Sequence, residues 1–123
     1  MMAEKARLFG DKQILSKILT ANSPGLAKSL GRQVNGFIPH IWDEHCFNIA
    51  INGNYAKFLQ NSKLTDFILS TKQRILVEAS PVDKIWGIGL SQDDSNIENP
   101  LMWRGKNLLG FALMNVRQQL QEK

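Results

Sequence analysis

Residues 2–31 are divided into short pieces by their own capping residues, and this division points the chain toward a packing of short helices. Met2 to Phe9 reads as a helix segment with Ala3 and Ala6 as good formers, stopped by Gly10. Asp11 is placed to cap a second helix, with Ile14, Leu15, Ile18 and Leu19 on one face. Ser23-Pro24 opens a third, Ser as N-cap and Pro in the first turn. Leu26, Ala27 and Leu30 form its apolar side, and Gly31 is its expected stop.

Beyond a turn-like stretch from Arg32 to Pro39, the apolar pattern predicts a long helix from about His40 to Leu59, weakened or bent near Gly53 and Asn54. Leu64, Phe67, Ile68 and Leu69 mark another short helix. Ile75 to Glu78 is the best strand candidate. Ser91 to Pro100 is polar and acidic, the expected mobile loop. A last helix is expected from about Trp103 to Gln121, with Leu109, Leu113, Val116 and Leu120 at helical spacing. The predicted class is mainly α: orthogonally packed helices with a minimal β element of one hairpin or less, and residues 1–123 forming one domain.

Composition narrows the class further. The chain has 123 residues, of which 43% are hydrophobic, enough for a packed core. No apolar run approaches the ~20 residues of a membrane span. The first ten residues carry charge and lack the apolar stretch of a secretory signal. The one cysteine, Cys46, excludes an internal disulfide and is read as a packing residue in a reducing, cytoplasmic compartment. A net charge of +4 from scattered lysines and arginines suits a small anionic ligand at least as well as nucleic acid. Nothing in the pattern specifies an oligomeric state.

The chemistry gathers in Leu76–Leu90, where an apolar run ends in Glu78, passes a proline turn and Asp83, and reaches Trp86 ahead of Gly87 and Gly89. A carboxylate beside an anomeric carbon stabilises the positive charge that builds when a glycosidic bond breaks. An exposed turn would equally place Asp83 and Glu78 in solvent. Trp86, flanked by Lys84 and Gly87, would serve as a stacking plate for a heterocycle, although packing is the ordinary fate of Trp42, Trp86 and Trp103. Trp103 to Asn107 opens the last predicted helix, where amides and Lys106 would form an anion site or a solvated basic cap. Gly87-Ile88-Gly89 lacks the third glycine of a dinucleotide fingerprint, and His40 and His45 lie five apart, a poor spacing for one metal.

Val77-Glu78-Ala79-Ser80-Pro81-x-Asp83-x-x-Trp86-Gly87-x-Gly89 is followed by Trp103-x-Gly105-Lys106-Asn107-x-Leu109-Gly110-x-x-Leu113-Met114-x-x-Arg117. With Met2 to Ala6, Leu30-Gly31-Arg32, Trp42 and Ala56-Lys57-Phe58-x-Gln60-Asn61, these blocks resemble the NADAR family, also called YbiA-like. The resemblance implies a mostly helical fold and hydrolysis of the N-glycosidic bond of ribosylamino-pyrimidine phosphates, early intermediates of riboflavin synthesis. Other members act on ADP-ribose attached to other groups, nucleobases included. By this resemblance Asp83 and Trp86 are the catalytic candidates, and Trp42 is a further ring contact. Lys5, Arg32 and Asn107 are its candidates for phosphate or ribose, with Glu78 a weaker one, and Lys106 of the helix start joins them as a substrate-binding candidate. No metal or redox cofactor is implied. The family pattern also carries a glutamate ahead of the Met-Ala-Glu-Lys helix, thought to be catalytic. The sequence is therefore expected to lack the N-terminal part of the family domain, which leaves a non-catalytic ADP-ribose or nucleotide-binding module as the alternative.

Overall fold

A computed structural model describes residues 1–123. It is mainly α, with six α-helices and no strand. These are α1 (Met2–Leu8), α2 (Lys12–Leu19), α3 (Pro24–Gly31), α4 (Pro39–Leu59), α5 (Ser62–Ser70) and α6 (Leu108–Gln121), with a short 3-10 turn at Pro100–Met102. The chain separates into two compact units, Met1–Ile49 and Ala50–Lys123.

In the first unit the expected caps do what their chemistry requires. Asp11 Oδ1 accepts from the Ile14 amide at 3.0 Å and starts α2, while its Oδ2 accepts from the Asn35 amide at 2.8 Å. One carboxylate thus closes a helix and ties down a loop 24 residues away. These amides hold its pKa below the ordinary value, those of Asn35 and Ile14 contributing most. Ser23 Oγ accepts from the Leu26 amide at 3.1 Å to start α3. Ala6, Ile14, Ile18 and Val34 are buried together, with Met2, Phe9, Leu15, Ala27 and Leu30 packed around them. Gly31 ends α3 in a way the sequence did not indicate. It is buried in the last helical turn, and a Cβ there would overlap the Met2 side chain. Close approach of α1 to α3, rather than a left-handed stop, calls for glycine here. Gly10 does take the left-handed conformation, at φ +71°.

Helix α4 runs through Gly53 and Asn54 as one element of 21 residues, and Asn54 Nδ2 donates back to the Ala50 carbonyl at 2.8 Å. Cys46 is buried on it, in keeping with a packing residue.

The second unit departs from expectation at two places. Ile75–Glu78, the expected strand, forms none. A side chain replaces the strand: Asn107 Oδ1 accepts from the Glu78 amide and Asn107 Nδ2 donates to the Leu76 carbonyl, both at 3.0 Å. Backbone groups need partners wherever they are sheltered from water, and an amide side chain offers the same donor–acceptor pair as a peptide. The final helix starts at Leu108 rather than near Trp103, because Asn107 sits at φ 53°, ψ 40° and interrupts the helical path. Segment 91–100 is a chain of turns, pinned where Trp103 Nε1 donates to the Ile97 carbonyl at 2.8 Å. Arg117 is the buried cation of α6, its Nη1 donating to Thr71 Oγ1 at 2.9 Å and to the Arg74 carbonyl at 2.8 Å.

Candidate functional site

In the second unit, residues 78–89 are folded into a tight knot against the start of α6. Asp83 builds its centre. Asp83 Oδ1 accepts from the Ile85 amide at 3.0 Å and from the Trp86 amide at 2.8 Å, while the Asp83 amide donates to Ser80 Oγ at 3.1 Å. This is how Asp and Ser side chains commonly organise a turn. The carboxylate is half-buried, and Oδ1 alone carries both bonds. Trp86 is likewise half-buried, and its main chain is held from both sides, since its carbonyl accepts from Leu109 at 3.1 Å.

Gly87 explains why the knot can close. A Cβ on Gly87 would lie 2.8 Å from the Asp83 carbonyl oxygen and 2.9 Å from that of Glu78. The backbones of the two acidic residues therefore meet at this glycine, next to Trp86. The Glu78 carbonyl accepts from both Ser80 and Ile88 at 3.0 Å, so its main chain is fixed while its side chain remains half-exposed.

The anion cradle expected from the amides at the last helix start is already occupied. Lys106 donates to Lys84 O at 2.9 Å, Asn107 to Gly87 O at 3.0 Å, Leu108 to Ile85 O at 3.1 Å and Leu109 to Trp86 O at 3.1 Å. What Lys106 offers a ligand is its exposed ammonium. Asn107 is 0% exposed with both ends of its amide engaged, so direct contact with a ligand, which the resemblance implied, gives way to a structural task.

In the first unit a second set of candidates comes together. Lys5 Nζ lies 4.5 Å from the centre of the Phe37 ring and 5.6 Å from that of Trp42. Phe37 in turn meets Phe9 edge to face at 5.3 Å. Burial among these rings and the nearby Arg32 charge lower the Lys5 pKa from its ordinary value. Lys5 over its rings, with the Arg32 charge near it and no ion pair to either, forms a place where an anion relieves electrostatic repulsion.

Lys5, Arg32 and Trp42 are thus neighbours in one unit, and Glu78, Asp83, Trp86, Lys106 and Asn107 in the other. The residue that sequence reasoning missed is Phe37, which follows Gly36 at φ +78° in the turn-like stretch. Arg117 also went without a role, although a lone cation among Leu113, Val116 and Leu120 is itself a sign of a buried, bonded guanidinium. No three of the His, Cys, Asp and Glu side chains gather to hold a metal ion, and no helix is long and apolar enough to cross a membrane.

The NADAR domain model matches residues 1–121, and the chain belongs to that family. It is 50% identical over 124 residues to an N-glycosidase of Acanthamoeba polyphaga mimivirus, covering 99% of this chain and 72% of that protein. It is 38% identical over 121 residues to the protein irg-1 of Caenorhabditis elegans, covering 97% of this chain and 57% of the relative. A riboflavin biosynthesis protein of Vibrio vulnificus is 32% identical over 118 residues, or 96% of this chain and 29% of its own length.

Proposed function

We propose that this chain is an N-glycosidase that hydrolyses the bond between ribose and the exocyclic amine of a phosphorylated ribosylamino-pyrimidine. The observation that carries the reading is the Ser80–Gly87 knot, which sets a carboxylate and a tryptophan three residues apart in one rigid turn. Relatives named as an N-glycosidase and as a riboflavin biosynthesis protein support the reaction and the substrate class. Residues 1–123 are read as one family domain, acting in the cytoplasm on a small molecule.

In this reading Trp86 stacks on the pyrimidine. Asp83, with Oδ1 holding the turn, presents Oδ2 to the ribose, where it stabilises the oxocarbenium-like transition state or orients water. Water supplies oxygen to the anomeric carbon and a proton to the departing amine. Lys106 and Glu78 contact ribose or phosphate. In the first unit Lys5 and Arg32 are candidates for an anion, the guanidinium being the better matched to phosphate.

Release of ribose 5-phosphate from the ribosylamino-pyrimidine phosphate tests this directly. Asp83→Asn keeps an oxygen for the Ile85 and Trp86 amides, so it removes charge and spares the turn. It should lower kcat by about a hundredfold, the order expected for losing one electrostatic stabiliser. Activity unchanged by Asp83→Asn would remove Asp83 from the reaction. A second reading, hydrolysis or binding of an ADP-ribosyl group, is favoured by the paired Lys5 and Arg32 charges, which suit a diphosphate. Release of ADP-ribose from an ADP-ribosylated nucleobase supports hydrolysis. A thermal shift with ADP-ribose, without turnover, supports binding alone.

A further inference from the structure

We infer that Asn107 is the positioning residue of the site: its buried amide stands in for a missing β-strand and sets where Glu78, Asp83 and Trp86 are held. The inference rests on the N-glycosidase reading for its kinetic consequence, and on geometry alone for the rest.

Four observations converge. Asn107 is 0% exposed although Lys106 just before it is exposed. Its side chain bonds the two consecutive peptide groups that flank Val77, donating to the Leu76 carbonyl and accepting from the Glu78 amide, at 3.0 Å each. Its own amide donates to Gly87 at 3.0 Å, and the next two amides, of Leu108 and Leu109, take the carbonyls of Ile85 and Trp86. Gly110, one turn further on, leaves room for this arrangement, since a Cβ there would overlap the Leu76 carbonyl and the Asn107 amide.

One side chain therefore joins the segment entering the knot to the segment leaving it. If the Asn107 amide is removed, the Glu78 amide and Leu76 carbonyl lose their only protein partners there, and the knot is attached at one side only. A reacting carboxylate displaced by about 1 Å loses catalysis by as much as a hundredfold. Asparagine suits the post because it accepts the left-handed backbone at φ 53° while offering both a donor and an acceptor.

Two variants separate the backbone from the side chain. Asn107→Gly takes the same left-handed conformation without strain and lacks both bonds. Asn107→Asp keeps the acceptor for Glu78 but sets a second oxygen against the Leu76 carbonyl. In Asn107→Gly, kcat for ribose 5-phosphate release should fall by about ten- to a hundredfold with KM within about threefold. The Glu78 amide should exchange with solvent at least about tenfold faster. Asn107→Asp buries an uncompensated carboxylate against the Leu76 carbonyl, so it should lose at least as much Glu78 protection and kcat as Asn107→Gly. Unchanged Glu78 exchange in Asn107→Gly overturns the inference. So does a loss of activity that merely follows the unfolded fraction at the assay temperature. If the unaltered protein releases no ribose 5-phosphate, the substrate reading has failed, and the Asp83 and Trp86 backbone amide resonances become the measure. They shift in Asn107→Gly if Asn107 positions the turn, and stay in place if it does not.

Discussion

The two units of this chain each rely on a side chain that reaches across the sequence to hold backbone, and they do it with opposite chemistry. In Met1–Ile49 the side chain is Asp11, charged and half-exposed, capping α2 and anchoring the Asn35 amide. In Ala50–Lys123 it is Asn107, neutral and fully buried, bonding Leu76 and Glu78. A surface carboxylate can accept several amides while water solvates what is left of it. A buried group must satisfy every donor and acceptor it carries, and an amide beside a peptide does so without a net charge. Unit one is accordingly a set of helices joined by apolar packing with caps at their ends. Unit two is backbone locked to backbone, with glycines at the points of closest approach.

The glycines give the largest test of that contrast. A Cβ on Gly105 would run into backbone of Lys84, Gly87 and Ile88, and one on Gly110 into the Leu76 carbonyl. Backbone held from both sides cannot step aside, so Gly105→Ala and Gly110→Ala should each cost about 3 kcal/mol or more in denaturant unfolding. Gly31 in unit one also sits against a neighbour, but that neighbour is the flexible end of Met2. Gly31→Ala should cost about 1 kcal/mol or less, the extra methyl being offset by higher helix propensity. Equal losses at Gly31 and Gly110 would dissolve the distinction between a packed unit and a backbone-locked one.

A smaller effect sharpens the same point. Gly53 lies within α4 with nothing near its missing Cβ. Gly53→Ala should raise stability by about 0.5–1 kcal/mol, measured by the same unfolding curve.

The smallest is a pH effect confined to unit one. The folded-state pKa of Asp11 is depressed below 3.8, so the folded chain holds its proton less tightly than the unfolded chain does. Its contribution is present above pH 3.8 and is lost as pH falls through the lower folded value. Asp11→Asn should flatten the acid limb of a stability-against-pH curve. Asn107 does not titrate, so Asn107→Gly should lower the whole curve without changing its slope. An acid limb left as steep by Asp11→Asn would mean that other carboxylates set it.

Most of unit one was legible because its signals are local. Asp11, Ser23-Pro24 and the spacing of Ile14 and Ile18 each act within one helical turn, and the structure places α1, α2 and α3 within a residue or two of the pattern. The long α4 and the short α5 were readable for the same reason. Ile75–Glu78 reads as a strand because its residues favour extended backbone, but no strand forms there. Its partner, however, is a side chain 29 positions away from Glu78, which no local propensity can indicate. Phe37 beside Lys5 was hidden in the same manner, since nothing within a turn of either residue places one over the other.

What the sequence by itself determined is therefore the helical class, the caps and the family, together with the residue types that carry the chemistry. The tertiary structure decided which of those residues hold backbone in place. It bound Asp83 Oδ1 to the turn, occupied the helix-start amides with carbonyls and buried Asn107. The physical reason is that hydrogen-bond partners in a loop-rich unit are chosen by closure in space, over separations where residue preferences carry no information.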